Sequence, residues 1–516
     1  MLISLALRIQ PKDVITLVGG GGKTTLMFRL AGELIAAGRH VVTTMTTHLF
    51  VGQMALAPAW LELNTEDILS DRLPQALAEH GHVLLASGTV VCHPRVEQDR
   101  MAGLAPDLVD RVAAHPAVDA VIVEGDGARR LPFKAPAAHE PVIPKTATVV
   151  IPVVGLDVLG RPLTAEYVHR PHLVAELTAA ALGDPVTPAM LAAVLAHPNG
   201  GAKNVPQATR LIPFLNKVED ATTLDAARAI ARLLLAHPRV DSVLIGAAQG
   251  AEPVQEVWGR VGVVVLAAGQ ASRYGALKQV LPWHAGVPLV AHVADQALAC
   301  PDVARVVVTV GARAEQVRSA MTTVFQEEGA EETGGTEGVK GLANSGILSL
   351  LGGRLRIVTV SDWAEGQSRS VQAGLKMVLG PDPVLGPDPL TPFPTREGGI
   401  KLPSPVRGGA GGEVSAVLFL LADQPGVTPE LLSALIQRHR ETLAPVVAPR
   451  HQGQRGNPVL FDRATFPEFA DLHGDIGARP IIQAHRDEIA WVDWPTPEIV
   501  QDIDTVVDYR RTGSYT

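Results

Sequence analysis

A turn of small residues carrying two cations follows a strongly apolar segment in the second half of the chain. The segment Val261 to Leu266 leads into this turn, and the cations are Arg273 and Lys278. Small residues let backbone N–H groups approach a polyphosphate closely, while the cations offset its charge. We expect Arg273 and Lys278 to contact the phosphates of such a ligand. The remaining candidate nucleotide-binding residues are Leu266, Ala267, Ala268, Gly269 and Gly275.

An acidic residue, Asp423, ends another apolar segment, Ala416 to Leu420, within the sequence Leu421-Ala422-Asp423-Gln424-Pro425. Near the C-terminus, Asp502 and Asp504 supply two more carboxylates. Two carboxylates completed by water suit a hard, octahedral Mg²⁺ ion. Arg273, Lys278 and Asp423 are the candidate catalytic residues. The alternative for each aspartate is an ordinary capping role.

The cation-bearing turn and the strand-end Asp423, in this order, resemble the MobA-like nucleotidyltransferases over residues 261–516. The resemblance implies that the first loop wraps a nucleoside triphosphate, with Arg273 on the β- and γ-phosphates and Lys278 near the attacked α-phosphorus. It also implies that Asp423 holds magnesium, with Asp504 as the second ligand. In such a reaction a phosphate on the acceptor is the nucleophile, and it is already ionised near neutral pH. Positioning and electrostatic stabilisation would therefore carry most of the rate.

Three further segments resemble the molybdenum-cofactor branch of that family: Trp363 to Ser370, Arg455 to Leu460 and Gly474 to Arg479. Position 457 is Asn here, where that branch more often has His. The form of the motif around Asp423 is closer to the cytidylyltransferases than to the guanylyltransferases. The likeness thus implies CTP and molybdopterin as substrates, with acceptor-binding residues Gly366, Ser368, Ser370 and Asn457.

The N-terminal half contains a second phosphate-loop pattern, Val18 to Thr25, between an apolar strand and a patterned helix that Gly38 ends. A helix N-terminus facing the phosphates, with Lys23 reaching the outer phosphates and Thr24 binding magnesium, is typical of P-loop proteins. The standard spacing would require glycine at position 17, which is Leu here, so the loop is short. The candidate nucleotide-binding residues are Gly19, Gly22, Lys23 and Thr24, and the alternative is a glycine turn with an exposed lysine.

Two carboxylates, Glu124 and Asp126, follow the apolar segment Val121 to Val123, as strand-end acids of P-loop NTPases do. Together with Leu131 to Pro136, the segment His139 to Pro141 and later motifs, they resemble the YqeC-like accessory proteins of selenium-dependent molybdenum hydroxylases, over roughly residues 10–250. The resemblance implies a molybdenum hydroxylase apoprotein as a partner.

The turn Asn216 to Asp220 is similar to the guanine-reading turn of GTPases, but Glu219 stands where that turn has Asp. The alternative is an ordinary turn in which Asp220 caps the following helix.

Length and composition limit the class of protein. A chain of 516 residues with 47% hydrophobic residues is too long for one core and predicts at least two globular domains. The net charge of −9, without a long basic run, argues against nucleic acid as the main partner. Two isolated cysteines, Cys92 and Cys300, provide neither a disulfide framework nor a cysteine-rich metal site. Without an apolar run of about 20 residues or a leader-like N-terminus, we expect a cytoplasmic enzyme with no membrane contact.

Alternating apolar strands and helical patterns predict an α/β fold class with two domains. Residues 1–255 would form a P-loop NTPase-like α/β domain, and residues 260–516 a Rossmann-like, GT-A-like nucleotidyltransferase domain. The junction would lie within Gly250 to Gly262, since Val261 starts a new strand after the helix-compatible stretch Val254 to Trp258. Segments 327–353 and 379–412, rich in Gly, Pro, Glu and Thr, are predicted to be mobile insertions.

The two family resemblances together imply a molybdenum cofactor cytidylyltransferase, which would transfer CMP from CTP to molybdopterin and release pyrophosphate, fused to a nucleotide-binding accessory domain. One alternative is a non-catalytic, nucleotide-gated carrier or chaperone of the cofactor. The other is a guanylyltransferase or a nucleotidyltransferase acting on a sugar phosphate.

Overall fold

The computed structural model describes residues 1–63, 71–87, 90–91, 100–269, 274, 277–327, 347–380 and 414–512. These residues separate into two compact units, and the division falls between Trp258 and Gly259. Both units mix helices and strands. No helix in these ranges is long and apolar enough to cross a membrane.

The first unit is built around a parallel sheet. Its strands are β1 (Asp13–Gly19), β2 (Val41–Met45), β3 (His48–Phe50), β4 (Ala59–Glu62), β5 (His82–Ala86), β6 (Val90–Val91), β7 (Arg100–Ala102), β8 (Ala120–Glu124), β9 (Phe133–Lys134), β10 (Val149–Gly155), β11 (Val168–His169), β12 (Arg210–Leu211), β13 (Phe214–Asn216) and β14 (Ser242–Gly246). The main sheet has the order β4-β5-β2-β8-β1-β10-β13-β14, and its described pairings are parallel. Strand β1 is therefore central, so the loop after it lies between the carboxyl ends of β8 and β10, where open α/β sheets bind ligands.

The helices of this unit are α1 (Ile3–Ala6), α2 (Lys23–Ala36), α3 (Leu73–His80), α4 (Pro106–Ala114), α5 (Pro171–Thr178), α6 (Pro188–Ala196) and α7 (Ala221–Leu235). Helix α2 buries Leu26, Met27, Leu30, Ala31 and Leu34, because these residues recur at the spacing of one helical face. Gly38, with φ +76°, follows its last turn, as the sequence predicts.

The second unit contains a mixed sheet. Its strands are β15 (Val254–Ala267), which begins before the division, β16 (Val303–Val310), β17 (Ile347–Leu350), β18 (Leu355–Thr359), β19 (Val414–Leu421), β20 (Val446–His451), β21 (Gln454–Arg455), β22 (Val459–Asp462) and β23 (Ile489–Asp493). Strands β18, β16, β15 and β19 pair in parallel in that order. Strand β22 is antiparallel to β19 and β20, and β23 is parallel to β20. The helices are α8 (Leu289–Ala299), α9 (Ala314–Glu327), α10 (Gln367–Leu379), α11 (Pro429–Thr442), α12 (Arg479–Ala484) and α13 (Val506–Thr512).

Strands β15, β16 and β19 carry almost continuous apolar runs because both faces of this part of the sheet are covered. On one face, Val263 and Leu418 pack into a cluster with residues of α8 and α11. On the other face, Val264 and Val417 pack into a cluster that includes α10. The parallel arrangement aligns the ends of β15 and β19, which brings the residues after both strands to one edge.

Two expectations from the sequence differ from the structure. The stretch Val254 to Trp258 is not helical but forms the start of β15, since β-branched Val254 and Val257 are buried beside Trp258 in an extended chain. The segment 327–353 is not a loop throughout, because Ile347–Leu350 form β17 against β18 and Leu351–Gly353 form a 3-10 turn. Residues 328–346 of that segment, and 381–412 of the other predicted insertion, lie outside the described residues.

Candidate active site

A cavity of about 650 Å³ opens at the carboxyl ends of β15 and β19 in the second unit. Leu266, Ala268 and Gly269 line it from the end of β15. Leu421, Ala422 and Asp423 line it from the end of β19, and Asp504 comes from the segment before α13. Parallel strands place these distant residues together because their ends meet at one edge of the sheet.

Lys278 connects the acidic residues of the cavity. Its ammonium forms an ion pair with Asp423 and lies 3.0 Å from Oδ1 of Asp504. Burial acts to lower the pKa of Lys278, but the Asp423 carboxylate, with Asp504, outweighs burial and raises it above the ordinary value of 10.5. A permanently charged ammonium thus lies between two carboxylates that converge on one point. The sequence predicted all three residues for the site, although they are separated by up to 226 positions.

The third carboxylate of this region, Asp502, has a different hydrogen-bond partner, although Asp423, Asp504 and Lys278 lie close enough to act on its charge. Asp502 accepts a hydrogen bond from the side-chain amide of Gln424, which is buried next to Asp423. The structure therefore separates two aspartates that are only two positions apart: Asp504 contacts Lys278, and Asp502 contacts Gln424.

Gln279 is a cavity residue that the sequence analysis did not identify. It is 4% exposed, and its Nε2 donates to the carbonyl oxygen of Gly269 at 2.8 Å. This bond ties the segment after the cation-bearing turn to the end of β15. A polar residue beside Lys278 within an otherwise apolar stretch, Leu277 to Trp283, was the signal available in the sequence.

The opposite wall is formed by the segment before and at the start of α10: Trp363, Ala364, Glu365, Gly366, Gln367 and Ser370. Gly366 has φ +118°, and a Cβ there would collide with the backbone of Gly474 and Asp475. Asp475 accepts from the backbone N–H of Gln367 at 3.2 Å, which joins two of the segments that the sequence associated with the acceptor. Trp363 packs against Gly311, where no side chain could be accommodated.

Some predicted residues do not line this cavity. Ser368 is 1% exposed within α10, and Ala267 is buried at the end of β15. Asn457 donates its backbone N–H to the carbonyl of Ile499 and is likewise absent from the described lining. Arg273 and Gly275 lie outside the described residues.

In the first unit, the loop after β1 packs tightly against its neighbours. The N–H groups of Gly20 and Gly21 donate to the carbonyls of Val153 and Leu131. A Cβ at Gly19, Gly20 or Gly21 would collide with backbone atoms, and Gly19, Gly21 and Gly22 have positive φ. These contacts explain why consecutive glycines are required here.

Lys23 is not the exposed lysine of the alternative interpretation. It is 5% exposed, and its ammonium lies 2.6 Å from the carbonyl of Gly19, 3.2 Å from Asp126 and 3.6 Å from Glu124. Burial acts to lower its pKa, but Asp126 and then Glu124 raise it above 10.5. Thr24 donates its hydroxyl to Glu124 at 2.9 Å. The predicted loop residues therefore contact the predicted strand-end acids.

The guanine-reading turn has a different set of contacts. The Asn216 side chain is buried, donates to the carbonyl of Gly21 at 2.7 Å and accepts from the N–H of Ala248. Lys217 pairs with Asp157 at 2.7 Å. Asp220 caps helix α7 by accepting from the N–H of Thr223, as the alternative reading expects. The turn therefore stabilises the glycine loop through the bond from Asn216 to Gly21.

Two family models match this chain: the YqeC protein family at residues 15–172 and the MobA-like NTP transferase domain at residues 263–489. The uncharacterized protein YqeC of Escherichia coli strain K12 is 34% identical over 248 residues, which is 48% of this chain and 91% of that protein. The chain belongs to the YqeC family. Its second half carries a MobA-like NTP transferase domain, so both family resemblances seen in the sequence are confirmed.

Solved structures similar to this YqeC-family chain cover about half of it. Rv0371c of Mycobacterium tuberculosis H37Rv in complex with manganese is 22% identical, with a TM-score of 0.33, and the match covers 50% of this chain and 100% of that one. A nucleotidyl transferase from Methanothermobacter thermautotroptrophicus is 19% identical (TM-score 0.32; 49% and 96%). The 4-diphosphocytidyl-2C-methyl-D-erythritol synthase of Anaerococcus prevotii is 12% identical (TM-score 0.31; 48% and 92%). Similarity at this level carries no argument about substrate.

Proposed function

We propose that the second unit is a molybdenum cofactor cytidylyltransferase, which transfers CMP from CTP to molybdopterin and releases pyrophosphate. The observation that supports this most is the convergence of Lys278, Asp423 and Asp504 on one wall of a cavity whose other wall contains Gly366 and Ser370. The first wall would hold the triphosphate, and the second would hold the acceptor.

The carboxylates of Asp423 and Asp504 fit a Mg²⁺ ion, because both already bind one cation, the Lys278 ammonium. Within the described ranges, no cluster of three or more His, Cys, Asp or Glu side chains could form a closed metal site. A site with two protein carboxylates suits Mg²⁺, which usually keeps water and phosphate oxygens as its other ligands. When bound, the ion would neutralise charge on the triphosphate.

The residues of the chain would act mainly by positioning. An ionised phosphate oxygen of the acceptor attacks the α-phosphorus of CTP, and the bond to the departing pyrophosphate breaks. No proton has to be removed from the nucleophile, so no general base is required. Lys278, with Arg273 from the cation-bearing turn, would stabilise the charge that develops on the phosphates.

The cytidine preference rests on the likeness of Leu421 to Pro425 to cytidylyltransferases. Its test is pyrophosphate release by the full-length protein with Mg²⁺, molybdopterin and each nucleoside triphosphate, with Lys278→Ala as the control. We expect CTP to support much faster release than GTP or ATP. Faster release with GTP would replace the cytidylyl assignment by a guanylyl one. Binding of CTP and molybdopterin without any pyrophosphate release would instead favour the carrier function.

We further propose that the first unit binds nucleotide phosphates through Gly19, Gly22, Lys23 and Thr24, in the service of molybdenum hydroxylase maturation. The central position of β1 and the bond from Thr24 to the strand-end Glu124 support this proposal. Lys23→Ala in a Lys278→Ala background should weaken ATP or GTP binding in calorimetry. Exposed Lys145, which is outside the loop, provides the control substitution Lys145→Ala. Equal binding by both variants would contradict the assignment.

A further inference from the structure

The carboxylate of Asp126 makes the contacts that an anion bound to the glycine loop would make. It is 2% exposed and accepts from the N–H of Gly19 with both oxygens, at 3.0 and 3.1 Å. Lys23 lies 3.2 Å from one oxygen and Lys134 lies 2.9 Å from the other. One backbone N–H and two ammonium groups around a carboxylate form a complete anion-binding position.

We propose that Asp126 is an internal occupant of this position, and that a phosphate group of a nucleotide or of pyrophosphate binds there by displacing it. The proposal rests on the proposed phosphate binding by the first unit and identifies the group that competes with it. It would make nucleotide binding by this unit conditional on movement of the segment after β8.

The surrounding charges allow such a displacement. Lys134 also pairs with Glu140 at 2.7 Å, and Arg170 contacts both oxygens of Glu140 at 2.7 and 3.2 Å. These bonds hold the pKa of Glu140 at about 2, although burial acts to raise it. If Asp126 leaves, Lys134 therefore keeps Glu140 as a partner and Lys23 keeps Glu124. The cluster then lacks one negative charge, which a phosphate would supply.

Two glycines flank Asp126, and glycine changes its backbone conformation at lower cost than other residues. Gly125 is buried and bonded to Leu17 and Val142, whereas Gly127 is exposed and its carbonyl accepts from Lys134, so displacement of Asp126 would break few backbone bonds beyond these. Shortly after Asp126, Arg129 and Arg130 adopt left-handed backbone conformations, with φ +52° and +63°. Such conformations are unfavourable for residues other than glycine, so a rearrangement that moves Asp126 out could also relieve strain.

The test uses full-length protein with Lys278→Ala in every variant, so that binding at the second unit is weakened equally. Calorimetry would measure the affinity for pyrophosphate and, separately, for ATP. Asp126→Asn should bind one or both at least about tenfold more tightly than the parent, a change of about 1.4 kcal/mol. Adding Lys23→Ala should abolish the gain. Tightening for pyrophosphate alone would identify a free diphosphate-type ligand, and tightening for ATP a nucleotide.

Glu140→Gln is the matched control. It removes one negative charge from the same cluster but leaves Asp126 on the Gly19 N–H, so it should not tighten anion binding. If Asp126→Asn is insoluble, Asp126→Ser also removes the charge while retaining an acceptor. Equal or weaker binding by the Asp126 variant would overturn the displacement proposal while phosphate binding by the parent would still stand. Equal tightening by Glu140→Gln would show that only the net charge matters, which also overturns it. No binding by any variant would refute the phosphate site itself.

Discussion

The three carboxylates near Lys278 allow a graded prediction. Asp423 and Asp504 contact the Lys278 ammonium, with side chains 19% and 44% exposed, whereas Asp502 is bonded to Gln424. We expect substitution by asparagine, which keeps the shape and removes the charge, to impair CMP transfer in the order Asp423, then Asp504, then Asp502. The order follows from two properties of each carboxylate: its contact with the Lys278 ammonium and its exposure to solvent.

The magnitudes follow from Coulomb's law. Two unit charges about 3 Å apart interact by roughly 1.4 kcal/mol in water and roughly 5.5 kcal/mol at an effective dielectric constant of 20. Because Asp504 is 44% exposed, solvent screening places it low in this range, at about 2 kcal/mol, or about 30-fold in rate. Asp423 is less exposed, so Asp423→Asn should raise the activation free energy by about 4 kcal/mol and lower the rate about a thousandfold. Asp502→Asn should raise the activation free energy by about 1 kcal/mol or less, as expected for a charge that does not contact Lys278.

The assay is pyrophosphate release from CTP as a function of Mg²⁺ concentration. A weakened hold on the ion should raise the Mg²⁺ concentration that gives half-maximal activity in Asp504→Asn, and raise it little in Asp502→Asn. An Asp502 variant as impaired as the Asp504 variant would show that the observed contacts do not define the metal ligands. Near-normal activity of Asp423→Asn would refute the site.

Two further predictions concern stability and the acceptor wall. Burial lowers the pKa of His82, whose ring is hydrogen-bonded to Thr43, from 6.5 to about 4, so the unfolded chain binds its proton first as the pH falls. The free energy of unfolding is therefore highest above pH 6.5 and decreases by about 3 kcal/mol towards pH 4 because of His82. Denaturant unfolding of His82→Gln should show a flatter dependence of this free energy on pH. An unchanged dependence would contradict the assignment. Gly366→Ala should raise the KM for the acceptor about tenfold or more, because the added Cβ collides with Gly474 and the positive φ is strained. Gly453→Ala, which has a similar φ of +82° in open space, is the control, and an equal effect on KM would exclude a specific role of the wall.

Several candidate residues of the C-terminal cavity lie together in the structure because they come directly after apolar strands. Asp423 follows β19, and Leu266 to Gly269 end β15, so the parallel sheet alone brings them together. Which of Asp502 and Asp504 contacts Lys278 could not be predicted in the same way. Both precede α13 in a segment that is neither helix nor strand, and only tertiary contacts pair Asp504 with Lys278 and Asp502 with Gln424.

Local patterns were less reliable where tertiary contacts determine the conformation. Val254 to Trp258 is compatible with a helix by its spacing, but it continues β15 because its side chains are buried by the surrounding structure. Gln279 carries no recognisable motif and becomes a cavity residue through one hydrogen bond to Gly269.

The sequence by itself determined the family and the α/β class, and it identified residues after apolar strands that the structure brings together, because these depend on short-range order along the chain. Only the tertiary structure decided how charges are paired. Lys23 was predicted to reach phosphates, yet it is buried against Asp126 and Glu124, more than 100 positions away. Such pairing depends on which strand ends become neighbours and on the need to neutralise charges that are removed from water, and neither is encoded by local spacing.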